Sequence, residues 1–83
     1  DFLKRRGISQ NRLAREIDVR VARINDIGHG RRGITADTAL RLAKYFDMTP
    51  EFWVNLQSRY DLKMAKRGAW PAVEKRIRPI EAA

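Results

Sequence analysis

Residues 9–27 read SQNRLAREIDVRVARINDI, and the spacing of apolar and small side chains along this stretch decides the fold. Leu13, Ala14 and Ile17 recur at helical spacing while Arg12, Arg15 and Glu16 are left for solvent, so a helix starts at Gln10 and ends near Ile17. Ser9 offers a hydroxyl to the free amides of its first turn, and Ile8 and Leu13 stand at the two positions that clasp a helix entry. Arg12 and Glu16 can pair across one turn. After the short joint Asp18-Val19, a second stripe of Val21, Ile24 and Ile27 predicts a helix from roughly Arg20 to Ile27, closed by Gly28, His29 and Gly30.

Two short helices joined so tightly fit a helix-turn-helix, whose second helix lies in the major groove of DNA. Four residues at the required places carry that reading. Ala14 is small enough for the two helix backbones to approach, Asp18 tolerates a left-handed turn nearly as glycine would, and Ile24 and Ile27 anchor the second helix.

Working outward, Asp1 to Arg6 form a short first helix closed by Gly7, with Ile8 folding back on Leu3. Phe2 and Leu3 are apolar with nothing before them to cover, so this helix is expected to begin upstream of Asp1. Beyond the basic loop Arg31-Arg32-Gly33, Thr35 caps a helix whose stripe is Ala36, Ala39, Leu40, Ala43 and Phe46, with Asp37 near the positive end of its dipole. Thr49 and Pro50 are a cap and a first-turn proline, Glu51 suits the first turn, and Met48 with Trp53 repeat the clasp. This fifth helix runs from Pro50 to about Arg67. Gly68 and Trp70-Pro71 interrupt it, and Ala72 to Arg78 can add a short amphipathic turn before Pro79. No strand pattern and no repeat occurs, so the expectation is an all-α five-helix bundle over residues 1–67 with a tail at 68–83.

The composition sets bounds on function. Eighty-three residues, 43% hydrophobic and 34% charged, make one small globular domain and exclude a disordered chain. No apolar run is long enough for a membrane span, and no charged start leads into an apolar stretch as in a signal peptide, so a cytoplasmic protein is expected. Without cysteine, disulfide scaffolds, thiolate metal sites and cysteine nucleophiles are excluded, and with His29 as the one histidine no metal or other cofactor is expected. No paired carboxylates, phosphate-cradling glycine loop or nucleophile-base pair can be assembled, so no enzyme and no small-molecule substrate is expected. The net charge is +8, and residues 1–34 hold nine basic and four acidic side chains. That excess favours double-stranded DNA as partner through long-range attraction and counterion release.

Three stretches are similar to one family. They are Ile8-Ser9-Gln10-Asn11-Arg12-Leu13-Ala14, then Gly30-Arg31-Arg32-Gly33-Ile34-Thr35-Ala36-Asp37-Thr38-Ala39-Leu40-Arg41-Leu42-Ala43, and Pro50-Glu51-Phe52-Trp53-Val54-Asn55-Leu56-Gln57. From Phe2 to about Met64 the chain resembles the XRE/Cro-type DNA-binding family, in its HigA (VapI-like) antitoxin branch. It departs from the family pattern at Asp18, where glycine is usual, at Arg20, where proline or serine often opens the helix, and at Gly28. The resemblance implies a lambda repressor-like domain that forms a homodimer and binds an operator. It also implies neutralisation of a small ribonuclease toxin of the HigB type and repression of the shared operon.

On the second helix of the motif the outward positions are Arg20, Val21, Ala22, Arg23, Asn25 and Asp26. Direct base readout is expected from Arg20, Val21, Arg23 and Asn25, since arginine can grip guanine and asparagine adenine. The bland alternative has Arg20 and Arg23 neutralising phosphates and Asp26 pairing with Arg23. Gln10, Asn11 and Arg12 start a helix whose free amides suit a phosphate, and Arg31 and Arg32 are placed to hold flanking phosphates. His29 reads as a helix-end residue. Phe46, Phe52, Trp53 and Tyr60 read as core. Leu56, Tyr60, Met64 and Trp70 extend past the core of so small a monomer and form the expected dimer contact. Two other readings stay open: a free-standing XRE-type regulator without a toxin, and a protein-interaction module that has lost DNA binding.

Overall fold

The computed structural model describes residues 2–81; Asp1, in the expected first turn, and Ala82 and Ala83, in the expected tail, lie outside the described residues. Six helices follow one another: α1 (Phe2–Arg5), α2 (Gln10–Glu16), α3 (Val21–Gly28), α4 (Ala36–Phe46), α5 (Pro50–Arg67) and α6 (Trp70–Glu74). No helix among them is long and apolar enough to cross a membrane.

One local device ends four of these helices. Gly7, Asp18, Gly30 and Asp47 all have positive φ, between 55° and 73°. In each case the next amide reaches back to the carbonyl five residues before it: Ile8 N to Leu3 O at 3.0 Å, Val19 N to Ala14 O at 2.9 Å, Arg31 N to Asp26 O at 2.8 Å and Met48 N to Ala43 O at 2.9 Å. This left-handed closure satisfies carbonyls that the helix end would otherwise orphan, and it usually folds an apolar side chain back over the last turn. Ile8, Val19 and Met48 do so, half-buried against the core. Arg31, at the fourth ending, is charged and stays exposed.

At the starts, Ser9 Oγ accepts from Arg12 N at 3.0 Å and Thr35 Oγ1 from Thr38 N at 3.3 Å, as expected of cap residues. Thr49 holds the same extended position before Pro50, but its hydroxyl makes no capping bond. The first turn there has one donor fewer to satisfy, because Pro50 has no N–H.

The core is Leu13, Ala14 and Ile17 from α2, Ile24 from α3, Ala39, Leu42 and Ala43 from α4, and Trp53 from α5, with Thr38 buried beside them. Burying a leucine- or isoleucine-sized side chain contributes about 1.5–3 kcal/mol, so these few residues carry most of the hydrophobic stabilisation. The expected α4 stripe is corrected at two places: Leu40 is 60% exposed and Ala36 is exposed, while Thr38 and Leu42 turn inward. Both stripes are helically consistent, and the packing of α5 against α4 through Trp53 selects the second. Trp53 is 7% exposed and Phe46 half-buried, with ring centroids 6.0 Å apart, whereas Phe52 and Tyr60 are exposed and are not core residues. For Tyr60 the cause is its place on α5: α4 has eleven residues and α5 eighteen, and every α5 residue after Gln57 is exposed.

The fifth helix ends at Arg67 with Gly68 after it, as expected, but the bounds of the helix that follows are corrected. Trp70 and Pro71 begin α6, where a proline in the first turn lacks only an amide the helix does not use, and α6 ends at Glu74 instead of continuing to Arg78. The helices α5 and α6 form an arm, so that the molecule measures 52 × 27 × 22 Å with a radius of gyration of 17.0 Å. A compact chain of this length has about 12 Å.

The left-handed residue in the α2–α3 turn makes a prediction about stability. Asp18→Val is expected to lower the unfolding free energy by about 1–2 kcal/mol, because a β-branched residue strongly resists positive φ. Asp18→Gly is expected to hold or raise it. Urea unfolding followed by circular dichroism checks both.

Candidate nucleic-acid interface

The candidate surface is built on α3. Ile24 points into the core beneath it, so the opposite side of the helix is turned outward: Arg20, Val21 and Ala22 are exposed, and Arg23, Asn25 and Asp26 are half-buried at its edges. Arg20 occupies the cap position in extended backbone and makes no capping bond with its side chain. Gln10, Asn11 and Arg12, at the start of α2, are exposed.

Side chains on this surface are tied to one another. Asn25 Nδ2 donates to Gln10 Oε1 at 3.4 Å, which joins the start of α2 to the middle of α3. Arg31 donates from Nη2 to Asn25 Oδ1 at 2.9 Å and from Nε to Asp26 Oδ1 at 3.1 Å. His29 Nδ1 donates to the Asn25 carbonyl at 2.8 Å, which makes it a helix-end residue as expected. The same bond fixes Nδ1 as the protonated nitrogen, since a carbonyl can only accept. Arg32, next to Arg31, is exposed and makes no side-chain bond among the described residues.

The alternative that paired Asp26 with Arg23, one turn away, does not hold. Asp26 instead pairs with Arg31, and Arg23 Nη1 reaches Asp37 Oδ2 on α4 at 3.0 Å. Position in the fold explains the switch: Asp37 lies at the start of α4, opposite the Arg23 side of α3, and Arg31 is folded back onto Asp26 by the helix-ending turn.

Several residues that matter here were missed in the sequence. Asp37 also accepts from Arg41 Nε at 3.0 Å, and Arg41 Nη1 donates to the carbonyls of Ile17 and Asp18 at 2.8 and 3.0 Å. Arg41 thus fastens the end of α2 and the turn to α4. The Asp37-Arg41 spacing of four is a legible signal for half of this arrangement. Gln57 Oε1 accepts from Ile34 N at 2.8 Å, and its Nε2 donates to Asp61 at 2.8 Å, so α5 holds the loop that follows α3. A Cβ at Gly33 would come within 3.2 Å of the Gln57 carboxamide, so glycine there permits the close approach. Arg12 pairs with Glu16 at 3.1 Å as expected, and Glu16 also accepts from the Tyr45 hydroxyl.

These contacts show in the titration of the groups. Asp37 is held below the ordinary carboxylate range, chiefly by the hydrogen bond from Arg41; desolvation opposes this, and a weaker hydrogen bond from Arg23 adds to the lowering. Glu16 is lowered mainly by the Tyr45 hydroxyl, whose own pKa is raised by the same bond.

The residues expected at a dimer contact lie on the arm. Leu56, Tyr60 and Met64 fall one turn apart along α5, Trp70 opens α6, and all four are exposed.

Residues 1–53 match the family profile described as Helix-turn-helix. The chain is 49% identical over 67 residues to virulence-associated protein I of Dichelobacter nodosus, which is 81% of this chain and 62% of that protein. Among solved structures, it is similar to the Pseudomonas aeruginosa antitoxin HigA with higBA promoter, at 42% identity and a TM-score of 0.89 over 96% of this chain and 87% of that one. An addiction module antidote protein of a HigA family from Coxiella burnetii is 49% identical, with a TM-score of 0.85 over 94% and 83% of the two chains. The chain spans 62%, 58% and 50% of the length of three curated relatives it matches.

The Asp37 arrangement carries a pH prediction. A carboxyl held below its unfolded value adds stability above that value and loses it as pH falls through the lower folded value. Removing the larger of its two partners with Arg41→Ala is expected to move the Asp37 titration up toward the ordinary range, and Arg23→Ala to move it less. Side-chain carboxyl NMR across the acid range reads both shifts.

Proposed function

The chain belongs to the helix-turn-helix family, in its HigA and VapI-like branch, and from that premise we propose that it is a sequence-specific DNA-binding antitoxin. It binds an operator as a homodimer, represses its own operon by occluding the promoter, and neutralises a ribonuclease toxin of the HigB type. The observation that carries this reading is the open outer side of α3, anchored from behind by Ile24 and flanked by Gln10, Asn11 and two arginines, in a strongly basic chain.

Arg20 and Val21 read base edges from the exposed side of α3, and Asn25 reads from its half-buried edge. Arg23, drawn toward Asp37, sits at the margin of the groove, where it balances the phosphate backbone more readily than it reads a base. Gln10 and Asn11 dock a phosphate beside the start of α2, Arg12 adds charge next to them, and Arg32 holds the phosphates flanking the loop. Asp26 acts through Arg31. Residues 1–67 form the DNA-binding unit, and residues 68–83 are an appended tail whose first part, α6, joins the arm.

Leu56, Tyr60, Met64 and Trp70 form the contact between two copies, which covers the apolar side of the arm and sets two recognition helices about 34 Å apart, one turn of DNA. The protein acts in the cytoplasm, and no catalytic step, cofactor or small-molecule substrate is part of this reading. This reading expects a short reading frame beside the gene to encode the toxin and the two products to purify together.

Two results are expected. In a fluorescence anisotropy titration, the chain binds a duplex of its own promoter more tightly than a scrambled duplex, and the affinity falls steeply between roughly 50 and 200 mM salt. Absence of binding to that promoter at low salt contradicts the proposal. Tyr60→Glu combined with Met64→Glu converts dimer to monomer in sedimentation equilibrium and weakens promoter binding by more than about tenfold, because one half-site alone is then engaged.

A further inference from the structure

The four left-handed helix endings differ at one point. After Gly7, Asp18 and Asp47 the next residue is Ile8, Val19 or Met48, each folded back onto apolar neighbours. After Gly30 the same place is taken by Arg31. The backbone of that turn, with Arg31 N bonded to Asp26 O at 2.8 Å, throws the side chain back along α3 as it does the apolar ones. There it meets Asp26 and Asn25, at 3.1 and 2.9 Å.

We propose that Arg31 is a specificity-determining positioning residue, which orients the Asn25 carboxamide for base readout rather than serving chiefly as a phosphate contact. This rests on the DNA-binding reading of α3. A guanidinium only donates, so the atom of Asn25 that faces Arg31 must be the oxygen, and the amide nitrogen must then face Gln10. Asn25 Oδ1 keeps a free lone pair and Nδ2 a free hydrogen, which are the acceptor and donor that an adenine edge requires. Asp26 holds the guanidinium in place through Nε and leaves Nη2 for Asn25. Arg32 has the same charge and lies one residue away, yet it has no such partners among the described residues. The two arginines therefore do different things.

The test uses the whole chain, a duplex of its own promoter, and the same duplex with each A·T pair changed in turn to G·C. Arg32→Ala is expected to weaken binding to every duplex by a similar factor and to lower the salt slope by about one. Arg31→Ala is expected to lose about tenfold discrimination at the pair that Asn25→Ala also makes indifferent, with much less effect elsewhere. Arg31→Lys keeps the charge but lacks the fork, so it does not restore discrimination. In the free protein, NMR relaxation is expected to show an ordered Asn25 side-chain amide that becomes mobile in Arg31→Ala but not in Arg32→Ala. A uniform loss in Arg31→Ala, or restored discrimination in Arg31→Lys, overturns the proposal, as does a mobile Asn25 amide in the unmodified chain. If that amide is ordered and no duplex binds, the DNA-binding reading has failed instead.

Discussion

The joint between α2 and α3 is the constraint on which the rest of the structure depends. The two helices are short, seven and eight residues, and neither would hold its shape alone in water. What fixes them is a tight turn with three supports: the small Ala14, which lets the backbones meet, the left-handed Asp18, and the Arg41 guanidinium on the carbonyls of Ile17 and Asp18. An L-residue at positive φ costs roughly 1–2 kcal/mol. The two backbone bonds of the turn contribute about 1 kcal/mol each, and charge-assisted bonds somewhat more. The bonds outweigh the strain, so α3 is held at one angle with Ile24 inward and its cationic side out.

From that joint the molecule divides into a covered part and an uncovered part. Up to Trp53 each helix has a partner, and the core is closed by Trp53 and by the Phe46 ring, over which the Arg6 guanidinium stands at 5.6 Å. Past that point α5 and α6 leave Leu56, Leu62, Met64 and Trp70 facing water. So much exposed apolar side chain on one projecting element is the kind of patch that marks an interaction surface. On the proposed reading, base contact falls at the α3 end and association along the arm, so that one small core serves both.

The helix boundaries were legible because their causes are local. Ser9, Thr35 and Pro50 mark starts and Gly7 and Gly30 mark ends within a turn of where the helices begin and stop. The place of Asp18 in the turn was equally readable from its tolerance of positive φ. Contacts between distant segments were not readable. Nothing local says that Arg23 meets Asp37 rather than Asp26, that Gln57 holds Ile34, or that Leu40 yields its inward place to Leu42. Those outcomes depend on the angle at which α4 and α5 pack. Phe52 and Tyr60 were misread as core for a related reason, since helical spacing reports a face and says nothing of what lies opposite it. Which side chains touch bases, and which residues meet a second copy, are settled by partners outside the chain.

The central claim is that the outer side of α3 is the surface that meets a duplex. Amide chemical-shift mapping of the labelled chain, titrated with its promoter duplex, tests it most directly. The account expects the changes to concentrate in residues 9–12, 20–26 and 30–33, with the exposed arm beyond Gln57 unaffected once the dimer has formed. Changes confined to α5 and α6, with α3 silent, would contradict it.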